Sequence, residues 1–237
     1  MYVNSIRTRI FSEGEDLVAF IFDNVKSLKS GTVLVVTSKI VALAEGRTAV
    51  VRDAKAKDKL IRAESDWAHK TRFVTLTIKD GVPMANAGID DSNAKGKLIL
   101  LPKDSFESAA KLRKQLQKHY GIKKLGVVIT DSRVVPLRAG VTGIALGYAG
   151  FRGVRDYRGT PDIFGRKLKF TQTDIADSLA TAAVLTMGEG RECRPLCVIE
   201  DAPVVFYDKI DRDELRIDMR DDMYRPLFRV VATKKKR

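Results

Sequence analysis

The chain has 237 residues, 43 of them Lys or Arg against 30 Asp or Glu, for a formal net charge of +13. Its 44% hydrophobic and 31% charged content is that of a chain that buries a real core, as one large domain or two small ones, and excludes disorder and collagen-like repeats. The longest purely apolar run, Leu17 to Phe22, falls far short of the ~18 residues needed to span a bilayer.

The N-terminal stretch MYVNSIRTRIF carries charge where a secretory segment needs an unbroken apolar run, which predicts a cytoplasmic protein. Leu17, Phe20, Ile21, Val25 and Leu28 recur at helical spacing and predict an amphipathic helix over Gly14 to Leu28. The β-branched run Thr32 to Thr37 predicts a buried strand that delivers Ser38 and Lys39 at its C-terminal end, where α/β proteins place ligand contacts. Ser38 reads equally well as a cap for the next helix.

Lys55 to Lys70 is charged and Ala-rich and predicts a helix. Arg72 to Ile78 and Val82 to Ala87 flank Lys79-Asp80-Gly81, a hairpin signal. The second arm leads into Asn86 to Asn93, NAGIDDSN, where two carboxylates after a strand suit either a plain loop or a hard cation. Lys97 to Leu101 reads as a strand. Asp104 with Glu107 opens a helix whose stripe of Ala109, Leu112, Leu116 and Tyr120 ends at Gly121.

Leu125 to Thr130 is a continuous apolar run, a central strand ending at Asp131-Ser132. Five glycines between Gly140 and Gly153 carry neither a phosphate-loop nor a dinucleotide signature, and tight strand packing is the stronger reading. Thr171 to Met187 predicts a helix that stops at Gly188-Glu189-Gly190, which reads either as a plain C-terminal turn or, because an acid there opposes the helix dipole, as a functional carboxylate. Residues 197 to 206 read as a further strand bent at Pro203.

Two cysteines, Cys193 and Cys197, and two histidines, His69 and His119, leave too few soft ligands for a His/Cys metal site, so any metal must take oxygen ligands. The basic excess favours anionic partners and is partly a tail effect of residues 233–237, which read as a solvated end. One Trp and no Arg-Gly-aromatic platform argue against nucleic-acid recognition. A basic RNA-associated protein is the alternative to an enzyme.

Five segments, SKIVALAEGR, NAGIDDSN, VVITDS, DYRGTPDIFGRKL and IADSLATAAVLTMGEG, in this order and spacing, resemble the coenzyme F-420:L-glutamate ligase family over about Glu13 to Pro195. The resemblance implies an α+β fold of two interleaved subdomains within one domain over 1–237, in an intertwined homodimer. It implies a ligase that uses GTP or ATP and two divalent metals, Mg or Mn, to attach L-glutamate through a γ-linkage to an anionic acceptor. That acceptor is a coenzyme F-420 precursor, or a folate in a related branch.

Carried over by position, Asp90 and Asp131 correspond to ligands of one metal. Ser132, where the family often has Thr, and Glu189 correspond to ligands of a second. Ser38, Lys39 and Asn93 match nucleotide-contacting positions, and Met187, Gly188, Gly190 and Arg191 lie in a stretch that wraps the nucleotide. Arg138 and Arg158 are expected as carboxylate or phosphate clamps, against the plainer reading of each as an ion pair with a neighbouring Asp. The chain departs from the family pattern at Leu43 and Val135, which replace a Lys and an Arg, and at Arg7-Thr8-Arg9, which replaces a Gly-Leu-Pro-type loop.

Overall fold

The two apolar runs TVLVVT and LGVVIT lie side by side as parallel strands, Thr32 opposite Leu125 through Thr37 opposite Thr130, and the rest of the chain is built around that pair. The structure is a computed structural model describing residues 1–209 and 211–228. The expected basic tail, 233–237, lies outside the described residues. The chain runs β1 (Tyr2–Ile6), α1 (Leu17–Asn24), β2 (Thr32–Thr37), α2 (Ser38–Ala44), β3 (Thr48–Ala49) and α3 (Ala54–Ala63). Then come β4 (Trp67–Lys70), β5 (Thr75–Lys79), β6 (Val82–Ala85), a 3-10 turn at Asn86–Gly88, β7 (Leu98–Ile99) and α4 (Ser105–Tyr120). β8 (Leu125–Val134), β9 (Val141–Ala149), β10 (Val154–Asp156), β11 (Gln172–Asp174), α5 (Ile175–Met187) and β12 (Leu196–Glu200) complete the regular elements, before a 3-10 turn at Arg225–Phe228.

The main sheet has the order β1-β12-β2-β8-β9, antiparallel except for the central β2–β8 pair. Side chains alternate across it. Leu34, Val36, Val127, Ile129 and Leu196 pack with α1 and α4 on one face, while Val33, Val35, Val128, Cys197 and Ile199 pack with α5 on the other. Burial on both faces explains why these strands read as unbroken apolar runs. A third, smaller core gathers Ile61, Ala87, Ile89, Leu98 and Leu100 beside the three-stranded sheet β4-β5-β6. The protein is thus a mixed α+β fold.

Helix ends follow local chemistry. Asp104 accepts the Glu107 N–H at 2.9 Å, and Gly121 closes α4 in the left-handed region at φ 65°. Asp16 accepts the N–H groups of Val18 and Ala19, which starts α1 at Leu17, later than periodicity alone predicts, though Val25 and Leu28 are still buried beyond its end. Asp80 and Gly81 both have positive φ, as a two-residue hairpin turn with native twist requires.

Several expectations are corrected. The helix expected over Lys55 to Lys70 stops at Ala63, because Trp67–Lys70 pairs with β5, Trp67 opposite Ile78. The central strand does not end at Thr130: β8 continues to Val134, with Asp131 opposite Ile144 and Ser132 opposite Gly143. The last strand ends at Glu200 rather than bending at Pro203, and Lys97 to Leu101 contributes only a two-residue strand against β3. The helix expected from Thr171 begins at Ile175, capped by Asp174, whose carboxylate accepts the Asp177 N–H at 2.9 Å. The glycine-rich stretch is β9, as strand packing predicted: a Cβ on Gly143 would run into the Ala180 carbonyl of α5, and one on Gly147 into the start of α4.

Candidate active site

Four segments converge where β8 leaves the core. Consecutive residues on a strand face opposite ways, so Asp131 shares the parity of Val127 and Ile129, and Ser132 that of Val128. Across the register between Ile129 and Thr130, β9 skips Leu146, a bulge of the kind that re-aims side chains beside a site. Ser132 Oγ donates to Glu189 Oε2 at 3.1 Å, joining β8 to the turn after α5. The loop carrying Asp90 is pinned by its own anchor. Ile89 is buried in the third core, and Asp90 exchanges backbone hydrogen bonds with Ile99 at 3.0 and 2.8 Å.

The second residue of α2 supplies the cation. Lys39 Nζ donates to Asp90 Oδ2 at 2.7 Å and to the Oγ and carbonyl oxygen of Ser92, each at 3.1 Å. Ser92 also returns its hydroxyl to Asp90 Oδ2 at 2.6 Å and its N–H to Asp90 Oδ1 at 2.7 Å. Burial would raise the Asp90 pKa, but these bonds from Lys39 and Ser92 prevail and hold it below the usual carboxylate range. Asp131 goes the other way. Burial, reinforced by the charges of Asp90 and Glu189, pushes its pKa up to about 7 against the pull of the Ser132 N–H and of Lys39. A cavity of about 140 Å³ opens beside Asp131 and Ser132, walled by Met84, Val141, Ile144 and Leu146.

The structure thus brings Lys39, Asp90, Asp131, Ser132 and Glu189 together. Ser38 is the first residue of α2 and is buried; the capping position is Thr37, so Ser38 does not cap the helix. Asn93 is exposed in the left-handed region at φ 53°. Met187 packs into the core under α5, while Gly188, Gly190 and Arg191 form the exposed turn beyond it, folded by a hydrogen bond from the Gly190 N–H to Glu192 Oε2 at 2.8 Å.

The two arginines lie elsewhere. Arg138 stands at the exposed tip between β8 and β9, its N–H donating to the Val135 carbonyl at 3.2 Å. Arg158 grips Asp156 with Nε and Nη2 at 2.6 to 2.9 Å and lines a separate cleft with Arg152 and Arg155. The plainer ion-pair reading is therefore the one realised for Arg158. At the family departures, Leu43 packs against the main core, and Arg9 is bound to Glu15 at 2.6 Å. Sequence reasoning missed Ser92 and Lys57, which binds Asp91 at 2.7 Å. Ser92 two residues after Asp90 fits a local Asx-type pattern, whereas nothing in the sequence pairs Lys57 with Asp91.

The donor set of Asp90, Asp131, Ser132 and Glu189 is oxygen only, the chemistry that a hard cation takes. The chemistry fits divalent Mg or Mn. Among the described residues, no three His, Cys, Asp or Glu side chains stand close enough to hold an ion. Lys39 neutralises Asp90, and Glu189 is turned to Ser132.

The chain is similar to known proteins over most of its length. The family model described as F420-0:Gamma-glutamyl ligase matches residues 5–201. The coenzyme F420:L-glutamate ligase of Methanocaldococcus jannaschii is 41% identical over 153 residues, covering 65% of this chain and 61% of that protein. Those of Methanopyrus kandleri and Archaeoglobus fulgidus are 35% and 33% identical over 204 and 208 residues, covering 78% and 80% of this chain and 80% and 83% of theirs. The alignment with the first of these relatives spans about three-fifths of that protein's length. No helix among the described residues is long and apolar enough to cross a membrane. With the family model matching residues 5–201, most of the chain, and relatives 33 to 35% identical over about four-fifths of it, the chain belongs to the F420-0:gamma-glutamyl ligase family.

Proposed function

We propose that the chain is a nucleotide-dependent L-glutamate γ-ligase, working on a folate-like or coenzyme F-420-precursor carboxylate with GTP or ATP as co-substrate. The observation that carries this reading is that two bonded pairs from four segments, Lys39 with Asp90 and Ser132 with Glu189, lie near enough to the Asp131 carboxyl for the charges of Lys39, Asp90 and Glu189 to act on it, in a member of a ligase family. The γ-phosphate passes to the acceptor carboxylate, giving an acyl phosphate, and the amine of glutamate displaces phosphate to form the amide. Both partners in the first step are anions, so charge neutralisation dominates the barrier. Bound Mg or Mn would supply that neutralisation at the phosphate oxygens. Asp90, Asp131, Ser132 and Glu189 are the residues that would hold them, and Lys39 contributes a positive charge beside Asp90. The apolar wall of Met84, Val141, Ile144 and Leu146 beside Asp131 suits an apolar part of the substrate.

We place the two subdomains of a single ligase domain at the main sheet with its helices and at the smaller core beside β4-β5-β6. The partner is a second copy. Ile163, Phe164 and Phe170, between β10 and β11, are 92%, 88% and 88% exposed, which an intertwined homodimer would cover.

The test is mass spectrometry of acceptors after incubation with GTP or ATP, Mg or Mn, L-glutamate, and a panel holding tetrahydrofolate monoglutamate and the deazaflavin precursor. A gain of one glutamyl unit on one acceptor is the expected result. Glutamate-dependent nucleotide hydrolysis without a product would keep the chemistry and move the acceptor, and the absence of hydrolysis would overturn the reading.

A further inference from the structure

Past β9 the chain doubles back on itself. Phe151 bridges Phe206, the Arg152 N–H donates to the Val205 carbonyl at 2.9 Å, and the Tyr207 N–H donates to the Gly150 carbonyl at 3.0 Å. Residues 203–207 thus lie beside the start of β10, and a cleft of about 540 Å³ opens where they meet β10 and β11. That volume falls within the ~300–1,000 Å³ of small-molecule sites, and the cleft shares no lining residue with the cavity at Asp131. Val154, Ile175, Pro203 and Val205 give it apolar walls, while Arg152, Arg155 and Arg158 outnumber the acids Asp156 and Glu214 on its lining.

The three arginines are not equivalent. Arg158 is spent on Asp156. Glu214 is engaged as well, its Oε2 accepting the Tyr148 hydroxyl at 2.8 Å and the Gly153 N–H at 2.7 Å. Among the described residues, neither Arg152 nor Arg155 meets a carboxylate. The Arg152 guanidinium lies over the Tyr207 ring, 4.1 Å from its centroid, an interaction that occupies the face of the group and leaves its N–H edge free. Arg155 donates through Nη2 to the Pro203 carbonyl and through Nη1 to the Tyr157 hydroxyl at 3.4 Å, so some of its five N–H donors also stay free. Both cations are held in place by uncharged partners, with charge uncompensated and donors to spare.

We propose that this cleft binds a small organic anion, its carboxylate or phosphate held by Arg152 and Arg155 and its apolar body laid against Val154, Ile175, Pro203 and Val205. A planar N–H fork suits either anionic group. The site stands apart from the ligase reading and does not depend on it.

Isothermal titration of the full chain with phenyl phosphate, benzoate and inorganic phosphate tests the site. At least one aromatic anion should bind at least ~10-fold more tightly than inorganic phosphate, because its ring leaves water for the apolar walls. Arg152→Met with Arg155→Met should weaken that binding at least ~10-fold. Arg52→Met with Arg72→Met, which removes the same charge from exposed positions elsewhere, should leave it at the wild-type value. A preference for phenyl phosphate or for benzoate supports the site and identifies its anionic group. No binding of either aromatic anion, inorganic phosphate bound as tightly, or equal losses in the two double variants overturns the proposal. Should the cleft variant fold poorly, the wild-type chain serves: the tighter aromatic anion should slow phenylglyoxal modification of Arg152 and Arg155 several-fold relative to Arg52 and Arg72 in peptide mass mapping, and uniform modification overturns the site.

Discussion

Ser132 Oγ lies 3.1 Å from Glu189 Oε2, a hydrogen bond across 57 residues that fixes the turn after α5 against the end of β8. The bond is exposed, so its own contribution to stability is small, about 1 kcal/mol or less. Its value is positional. Glu189→Gln keeps a hydrogen-bonding oxygen at the same place but removes the charge, and should lower glutamyl transfer by about 10²-fold or more while the unfolding midpoint in urea moves little. Ser132→Ala should cost activity in the same direction, and Ser132→Thr should restore it, since the hydroxyl is retained. A Gln variant with near-wild-type turnover would remove Glu189 from the site.

The Asp131 pKa of about 7 sets the pH behaviour. A carboxyl whose folded-state pKa is raised above its unfolded value stabilises the fold below the unfolded value and loses that contribution as pH climbs to the folded one. The metal-free protein should therefore lose stability from about pH 4 to pH 7 through this group, and Asp131→Asn should flatten that part of the profile. Metal uptake runs the opposite way, because the proton must leave first. Mn(II) affinity in calorimetry should strengthen from pH 6 to pH 8 with proton release, seen as a dependence on buffer ionisation enthalpy. A pH-independent affinity would place Asp131 outside the metal's reach.

Gly143 and Gly147 test the scaffold separately from the chemistry. Both lie on β9 where helices approach its backbone, and a Cβ at either would collide with main-chain atoms, of Ala180 and Thr181 or of Ser105 and Phe106. Backbone cannot step aside as a flexible side chain can. Gly143→Ala and Gly147→Ala should each destabilise by about 2–3 kcal/mol in chemical denaturation. Gly140, with open space around its Cβ position but φ +88°, should lose less on substitution, through backbone strain alone.

The elements legible in the sequence are those whose own residues decide them. TVLVVT and LGVVIT are buried on both faces and announce themselves, and α4 carries its cap at Asp104 and its stop at Gly121. β1 was not foreseen, because YVNSI becomes a strand only by pairing with β12 almost two hundred residues later. Trp67–Lys70 is hidden for a different reason: it follows a charged, Ala-rich helical run without a break in composition, although its partner Thr75–Ile78 lies just across residues 71–74. At the site, the acids were found by position within a motif, but their relation was not. Lys39 and Asp90 are 51 residues apart, and no spacing rule tells that the two side chains meet.

The last prediction concerns the arm between β10 and β11. It is internally braced, with the Gly159 N–H donating to the Leu168 carbonyl and the Leu168 N–H returning to Thr160, both at 2.8 Å. Bracing an arm while leaving Ile163, Phe164 and Phe170 open to water makes physical sense when another surface receives them. Replacing two of the three with acids, Phe164→Asp with Phe170→Asp, removes apolar contact and adds charge that a buried interface would have to desolvate. Sedimentation equilibrium should show wild type as a dimer at micromolar concentration and the double variant as a folded monomer with unchanged far-ultraviolet circular dichroism. A wild-type chain that sediments as a monomer would leave the arm to some other surface, and a double variant that remains dimeric would move the interface elsewhere on the molecule.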